Sequence, residues 1–266
     1  MSGTVEVEQQ AGVAFVTLRH PGKLNAMSRA MWRALRSVFE SIQLSPDVRC
    51  VLIRGEGGYF CAGGDIAEYP AFRFNEASLR DFHENDVWGG LQAMLDCDVP
   101  IVAQIEGNCM GAGIEIACCC DIRIAAESAR FGAPIAKLGF PMAPREAALV
   151  LREAGALSAR EMLLQAAVLG AAEMKARGFL SQVVASAAAA SAALVSAYHV
   201  AALAPQAARL NKQTIRALNR GQALMESSPS ATDPVVNEMR GAYRYADSAE
   251  HREGIAAFLQ KRKPVF

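Results

Sequence analysis

The stretch best suited to chemistry is Gly107-Asn108-Cys109-Met110-Gly111-Ala112-Gly113-Ile114-Glu115. An apolar run opened by proline, Pro100-Ile101-Val102-Ala103-Gln104-Ile105, precedes it and reads as a buried strand. The small and apolar residues Ile114 to Cys120 follow, and they read as a helix that starts near Ala112. The first N–H groups of a helix lack internal partners, and the helix dipole adds partial positive charge there. Small residues at Gly111, Ala112 and Gly113 let another molecule approach that backbone. The result is an amide trap for an oxyanion, with the Glu115 carboxylate about one turn away. The glycine spacing is not G-x-G-x-x-G and no Walker lysine follows, which argues against a nucleotide loop. The same small residues also suit plain helix–sheet packing.

A second place where bare backbone is exposed lies upstream. Half of the residues between Arg54 and Asp65, the run Gly55-Glu56-Gly57-Gly58-Tyr59-Phe60-Cys61-Ala62-Gly63-Gly64, are glycine. Before it, His20-Pro21-Gly22-Lys23-Leu24-Asn25-Ala26-Met27 forms a Pro-Gly loop that carries one lysine. Downstream, Glu146 follows Pro144 at a predicted helix start. It reads as a favourable charge in a first helical turn, with a displaced catalytic acid as the rival reading. Of the four histidines, His20 precedes the Pro-Gly loop, and His199 and His251 fall in predicted helices. His83, in the polar segment after the second glycine stretch, reads as solvated, with a place over the binding pocket as the rival reading.

The elements that must position these residues follow from periodicity. Val5 to Val7 and Gly12 to Leu18 read as two strands joined by a turn near Gln10-Ala11-Gly12. Ser28 is placed as the N-cap of a helix with Met31, Leu35, Val38 and Ile42 on one face. Cys50 to Ile53 reads as a buried strand, and strand–helix–strand argues for right-handed α/β construction. Residues 67–97 are more polar, and Phe72 to Asp86 reads as mobile or loosely helical. A further strand is expected over Asp121 to Ala126. Leu157-Ser158-Ala159-Arg160-Glu161-Met162 carries a capping box with a Leu157/Met162 staple. Gly178 ends the next helix as a C′ residue, ahead of a short strand Leu180 to Val184. From Ala185 onward only helices are expected: an alanine-rich one to about Leu203, then Gln206 to Leu218, Pro234 to Tyr245 and Ala249 to Lys261. Alanine-rich helices pack closely, between subunits or within one chain. No fixed-period repeat is visible.

Composition excludes several classes. Apolar residues make up 52% of 266 and charged residues 20%, an ordinary globular balance. Lys+Arg and Asp+Glu number 27 each, so no bulk field draws the chain to nucleic acid or a membrane surface. No segment is apolar for long enough to span a bilayer, and no basic region followed by an apolar core opens the chain. A soluble, cytoplasmic protein is the expectation. The seven cysteines lie mainly in apolar runs, with Cys118-Cys119-Cys120 consecutive and no C-x-x-C pair. Adjacent residues cannot face one metal, so these read as buried packing residues, and no metal is expected.

Taken in order, several stretches resemble the enoyl-CoA hydratase/isomerase (crotonase) superfamily. They are Gly22 to Ala26, Phe60 to Ile66, Gly111 to Ala117, Cys120-Asp121-Ile122, Phe131-Gly132, Leu138-Gly139 and the tail Glu253 to Arg262. The resemblance implies an α/β fold, a crotonase-like spiral of β-β-α turns over residues 1–195. It also implies a C-terminal helical region, 196–266, that assembles trimers, often paired into hexamers. It implies an acyl-CoA thioester substrate whose carbonyl sits between the N–H groups of Gly64 and Ala112, with Glu115 as acid/base. Coenzyme A belongs to the substrate, so no separate cofactor is implied. Lys23, Leu24 and Ala26 match positions on the adenine and phosphate side of CoA, and Ala62, Asp65, Ile66 and Gly111 match its wall. Phe258 and Lys261 match a pair that approaches CoA, often from a neighbouring subunit.

In catalysis the sequence departs from the resemblance. Typical hydratases place a second glutamate in a Phe-Gly-x-Pro-Glu segment, which here reads Phe131-Gly132-Ala133-Pro134-Ile135. An isoleucine can neither orient water nor move a proton. The alternative acids of related isomerases and decarboxylases map to about Ala143 and Met142, which cannot substitute. With Glu115 as the single base, hydration is expected to be slow or absent while enolate formation persists. A hydratase-like lyase of fatty-acid or other acyl-CoA metabolism is the leading reading. The alternatives are an isomerase or other one-base enolate chemistry, and a catalytically silent acyl-CoA-binding protein.

Overall fold

The computed structural model describes residues 2–221 and 243–266. Strand β1 (Thr4–Gln10) pairs antiparallel with β2 (Val13–Arg19), and the turn between them carries Ala11 and Gly12 at positive φ. Helix α1 (Arg29–Leu44) starts at Ser28, whose hydroxyl accepts from the N–H of Met31, and buries Met31, Trp32, Leu35, Phe39 and Ile42. Strands β3 (Cys50–Gly55), β4 (Ile101–Ile105), β6 (Ile122–Ala126) and β9 (Gln182–Val184) extend the sheet in the order β1-β2-β3-β4-β6-β9. All pairings after the first are parallel. The short strands β5 (Asn108–Met110), β7 (Arg130–Gly132) and β8 (Val168–Gly170) form a second sheet.

Both faces of the central strands β2, β3 and β4 are buried, as inner strands of a parallel sheet require. One face of β2, β3 and β4 (Ala14, Val16, Val51, Ile53, Ile101, Ala103) joins the main core under α1 and α3 (Trp88–Asp96). The other face (Val13, Phe15, Cys50, Leu52, Val102) packs against α8 (Ala189–Ala201). Ala189, Ala193, Ala197 and Ala201 recur every fourth residue on α8 and are buried. Their small side chains let the helix lie close on the sheet, so this alanine stripe packs within the chain. The division drawn at 195/196 cuts α8.

Two sequence expectations are corrected, and one short strand was not foreseen. Residues 66–96 are ordered and largely helical: a 3-10 turn over Ile66–Ala71, α2 (Glu76–Asp81), a π-helical segment Phe82–Val87 and α3. Arg29 and Arg33 of α1 both grip the buried Asp86 of that π segment, a long-range ion cluster that no local periodicity reveals. The capping box at Ser158 does not form: α6 (Ala156–Leu164) begins two residues earlier, and Ser158 and Glu161 both meet Arg177 instead. Strand β5, inside the glycine stretch, was hidden because three residues are too few to show alternation. The helix expected over Pro234 to Tyr245 lies almost wholly outside the described residues.

The remaining helices are α4 (Ala112–Cys118), α5 (Pro144–Ala154), α7 (Ala171–Ala176), α9 (Pro205–Gly221) and α10 (Ala249–Leu259). Gly178, at φ +85°, closes α7 while the N–H of Phe179 bonds the Met174 carbonyl, as expected of a C′ glycine. Among the described residues no single helix is long and apolar enough to cross a membrane. Helix α4 is held from behind by the buried Arg123. Its guanidinium donates to the carbonyls of Ala117 (2.8 Å), Phe179 (3.1 Å) and Cys118 (3.3 Å), pairs with Glu153 at 2.8 Å, and stacks on Phe179. Replacing it with methionine strands those acceptors and the Glu153 charge, so Arg123→Met is expected to cost about 3–5 kcal/mol in urea unfolding.

Candidate active site

The two glycine loops are joined backbone to backbone. The first leaves the C-terminal end of β3 and the second that of β4, so parallel pairing brings both to one edge of the sheet. Cys61 N–H donates to Asn108 O at 2.9 Å, and Met110 N–H donates to Cys61 O at 2.9 Å. A methyl group on Gly113 would lie 2.7 Å from the Cys61 carbonyl, which makes glycine obligatory there. Gly63 at φ +116° and Gly111 at φ +46° turn the chain so that Gly64 and Ala112 follow on one cavity wall. Among the described residues neither the Gly64 nor the Ala112 N–H donates a hydrogen bond. Two free amide donors at one wall, one of them at a helix start, form a receptor for negative oxygen.

The cavity encloses about 180 Å³. Its wall includes Ala62, Gly64, Ile66, Gly111, Ala112 and Glu115, all named from sequence, together with Tyr69, Arg73, His83, Ile135 and Phe140. Ile135 is indeed a cavity residue, so the second glutamate of the resemblance is absent where it was sought. Lys23 and Asp65 pair with each other at 2.6 Å and stand beside the cavity instead of lining it. Leu24 is partly exposed and Ala26 is buried, its carbonyl taken by His20 Nδ1 at 2.6 Å. His20 is thus a structural residue. Phe258 and Lys261 lie on and just after α10, exposed, and the chain end beyond them bonds through Phe266 O to Arg49, at the N-terminal end of β3. That is the opposite end of the sheet from the glycine loops. Within one chain these two residues do not join the site.

Glu146 is corrected from a surface charge to a buried one. It is 1% exposed, held in α5 against α4, and its charge acts on Glu115. Its Oε1 lies 3.1 Å from His83 Nδ1, and its Oε2 is buried without a hydrogen-bond partner. His83 is likewise corrected, from solvated to cavity-lining and one-fifth exposed. Arg73 Nη1 lies 3.4 Å from His83 Nε2. An arginine can only donate, so Nε2 is the acceptor and Nδ1–H points at Glu146. Glu146 therefore touches the site from behind, linking the two cavity-facing groups Glu115 and His83.

Burial first, and then the Glu146 charge, push the Glu115 carboxyl up to about 8. Glu115 thus holds a proton near neutral pH. Burial also pushes the Tyr69 phenol up to about 12, which keeps it a neutral O–H donor. Its hydroxyl sits over Gly64, where any side-chain carbon would collide with it. Tyr69 and Arg73 were missed as site residues, and His83 was read mainly as solvated, because all three lie in the polar segment without periodicity. Its cluster of aromatic and cationic side chains was the available signal.

A parallel sheet whose glycine loops converge on a cavity, with helices wound around both faces, is the crotonase fold. The sequence profile of the enoyl-CoA hydratase/isomerase family matches residues 8–266, and the chain belongs to that family. It is 32% identical over 263 residues to the probable enoyl-CoA hydratase echA8 of Mycobacterium bovis, covering 99% of this chain and 97% of that protein. It is 31% identical to the 2,3-dehydroadipyl-CoA hydratase of Escherichia coli, over 98% of this chain and 97% of the relative. Among solved structures, an enoyl-CoA hydratase/carnithine racemase from Magnetospirillum magneticum superposes with a TM-score of 0.90 at 34% identity, covering 100% and 96% of the two chains. The chain is accordingly an acyl-CoA enzyme of this family.

The raised Glu115 carboxyl has a consequence for stability. Between its ordinary value of 4.5 and about 8, the folded chain holds a proton that the unfolded chain releases. This group's stabilising contribution is therefore complete below 4.5 and is lost as pH rises through 8. Glu115→Gln removes that dependence. The stability difference between variant and parent, from denaturant midpoints at pH 5, 6.5 and 8, is expected to shift steadily in the variant's favour.

Proposed function

We propose that the protein hydrates 2-enoyl-CoA thioesters with a buried relay of Glu115, Glu146 and His83 in place of the usual pair of glutamates. The observation that carries this reading is the position of Glu146 between the two cavity-facing groups. The N–H groups of Gly64 and Ala112 receive the thioester oxygen as negative charge develops on it, and Tyr69 stands beside them as a further neutral donor. His83 Nε2 takes a proton from water while its Nδ1–H is held by the Glu146 carboxylate. The water oxygen bonds to C3, and the C2=C3 electron pair moves onto the thioester oxygen. Glu115, protonated at rest, then gives its proton to C2. The water's second hydrogen stays as the product hydroxyl, the proton on His83 leaves to solvent, and Glu115 regains its proton from solvent before the next turnover. No metal or separate cofactor enters this sequence.

On the same reading Lys23, Leu24, Ala26, Asp65 and Ile66 border the CoA moiety, which is part of the substrate. Phe258 and Lys261 meet that moiety from a neighbouring copy. What supports an assembly, a homotrimer or hexamer, is the set of apolar side chains left uncovered on the C-terminal helices, among them Ile215, Leu218, Phe258 and Leu259. A cytoplasmic location accords with acyl-CoA metabolism.

Two measurements test this section. In steady-state hydration of 2-enoyl-CoAs from crotonyl-CoA upward, Glu115→Gln and His83→Gln are each expected to lower kcat by about 10²–10⁴-fold, and Glu146→Gln to fall in the same range. Full activity in Glu115→Gln would remove the relay. Light scattering at micromolar concentration is expected to give the mass of three or six chains, and a monomer would refute the assembly.

A further inference from the structure

Arg73 is the one cavity residue whose charge the relay leaves without a carboxylate. Its guanidinium is half-buried in the corner of two rings tilted 70° to each other, 3.7 Å from the Phe140 centroid and 4.5 Å from that of Tyr69. Two ring faces hold the guanidinium by cation–π attraction without using its N–H donors. Among the described residues it forms no ion pair, and its one hydrogen-bond contact is the long 3.4 Å approach to His83 Nε2. Glu146, the nearest carboxylate in its field, is separated from it by that imidazole. Burial pulls the guanidinium below its ordinary value, the sign of an imperfectly compensated charge. Holding a cation on an apolar wall is costly unless a ligand completes it.

Its position says which part of a ligand would do so. The Tyr69 ring spans the gap, with its hydroxyl at Gly64 and its face under Arg73. The guanidinium therefore stands about one phenol ring from the amides proposed to hold the thioester oxygen. The remaining wall is Phe82, Val87, Pro134, Ile135 and Leu138, which offers no other charged group. We propose that Arg73 receives a carboxylate at the far end of the acyl chain, which makes the preferred substrates CoA thioesters of short dicarboxylic enoic acids. A planar carboxylate matches the guanidinium fork in two parallel hydrogen bonds. This assignment rests on the acyl-CoA reading of the cavity, but not on the relay.

Binding separates the two. Succinyl-, glutaryl- and adipyl-CoA are compared with butyryl-, pentanoyl- and hexanoyl-CoA by titration calorimetry, since saturated thioesters cannot be hydrated. The parent is expected to bind the best-fitting carboxylated ligand about 10–100-fold more tightly than its methyl-ended counterpart, and Arg73→Met to bring the ratio to about one. Arg73→Lys keeps the charge without the fork and is expected to fall between, which also guards against a misfolded methionine variant. A parent ratio near one overturns the proposal. So does an equal weakening of both series in Arg73→Met, the result if Arg73 held a CoA phosphate instead. If the binding preference holds while no enoyl-CoA is hydrated, the relay fails and the Arg73 assignment stands. If methyl-ended enoyl-CoAs are hydrated while the parent ratio is near one, the assignment fails and the relay stands.

Discussion

The site depends on the close approach of two stretches of bare backbone. Parallel pairing of β3 and β4 delivers both glycine loops to one sheet edge, but it does not by itself make them touch. Contact comes from the backbone hydrogen bonds that pair Cys61 with the strand at Cys109 and from the missing side chain at Gly113, where a methyl group would be driven into the Cys61 carbonyl. Only with that gap closed do the amides of Gly64 and Ala112 share one wall. The start of α4 adds its dipole, while Arg123 satisfies carbonyls at the other end of the same short helix.

Around that wall the charges are arranged by burial. Glu115 faces the cavity from the first turn of α4, in surroundings dry enough to favour its protonated form, and Glu146 on α5 deepens the effect. A carboxylate at Ile135 would have reached the cavity directly. Here the second carboxylate is supplied eleven residues later in the chain, by a helix that packs behind the first. Glu146 meets His83 at 3.1 Å, and a π-helical segment places that histidine on the cavity wall. Segments of that kind put one extra residue into a helical turn and so re-aim side chains. Arg29 and Arg33 hold this one in place through Asp86.

The C-terminal part divides between two tasks. Helix α8 closes the underside of the sheet with four alanines, and α9 anchors to the strand ends through Arg209, which donates to the Ser45 and Val48 carbonyls, and Lys212, which pairs with Asp121. Helix α10 instead leaves Ile255, Phe258 and Leu259 in the open. Alanine content alone does not distinguish these tasks, because a small side chain permits close packing without naming the surface it meets.

The sequence by itself determined the features that are local or that depend on the backbone. These include the Ser28 cap, the Gly178 stop, the apolar runs of the buried strands, and both glycine loops with Glu115 on the helix after them. Each is legible because a cap, a period or a glycine constrains its own neighbourhood. Only the tertiary structure decided the roles of Glu146, His83, Tyr69 and Arg73. Their meaning lies in partners far away in sequence, 63 residues in the case of His83 and Glu146. A glutamate in a first helical turn has the same local signature whether it faces water or another buried carboxylate, and the packing of α5 on α4 chose the second. The failed capping box at Ser158 follows the same logic: its residues suited a helix start, but Arg177, brought in from α7's end, engaged both.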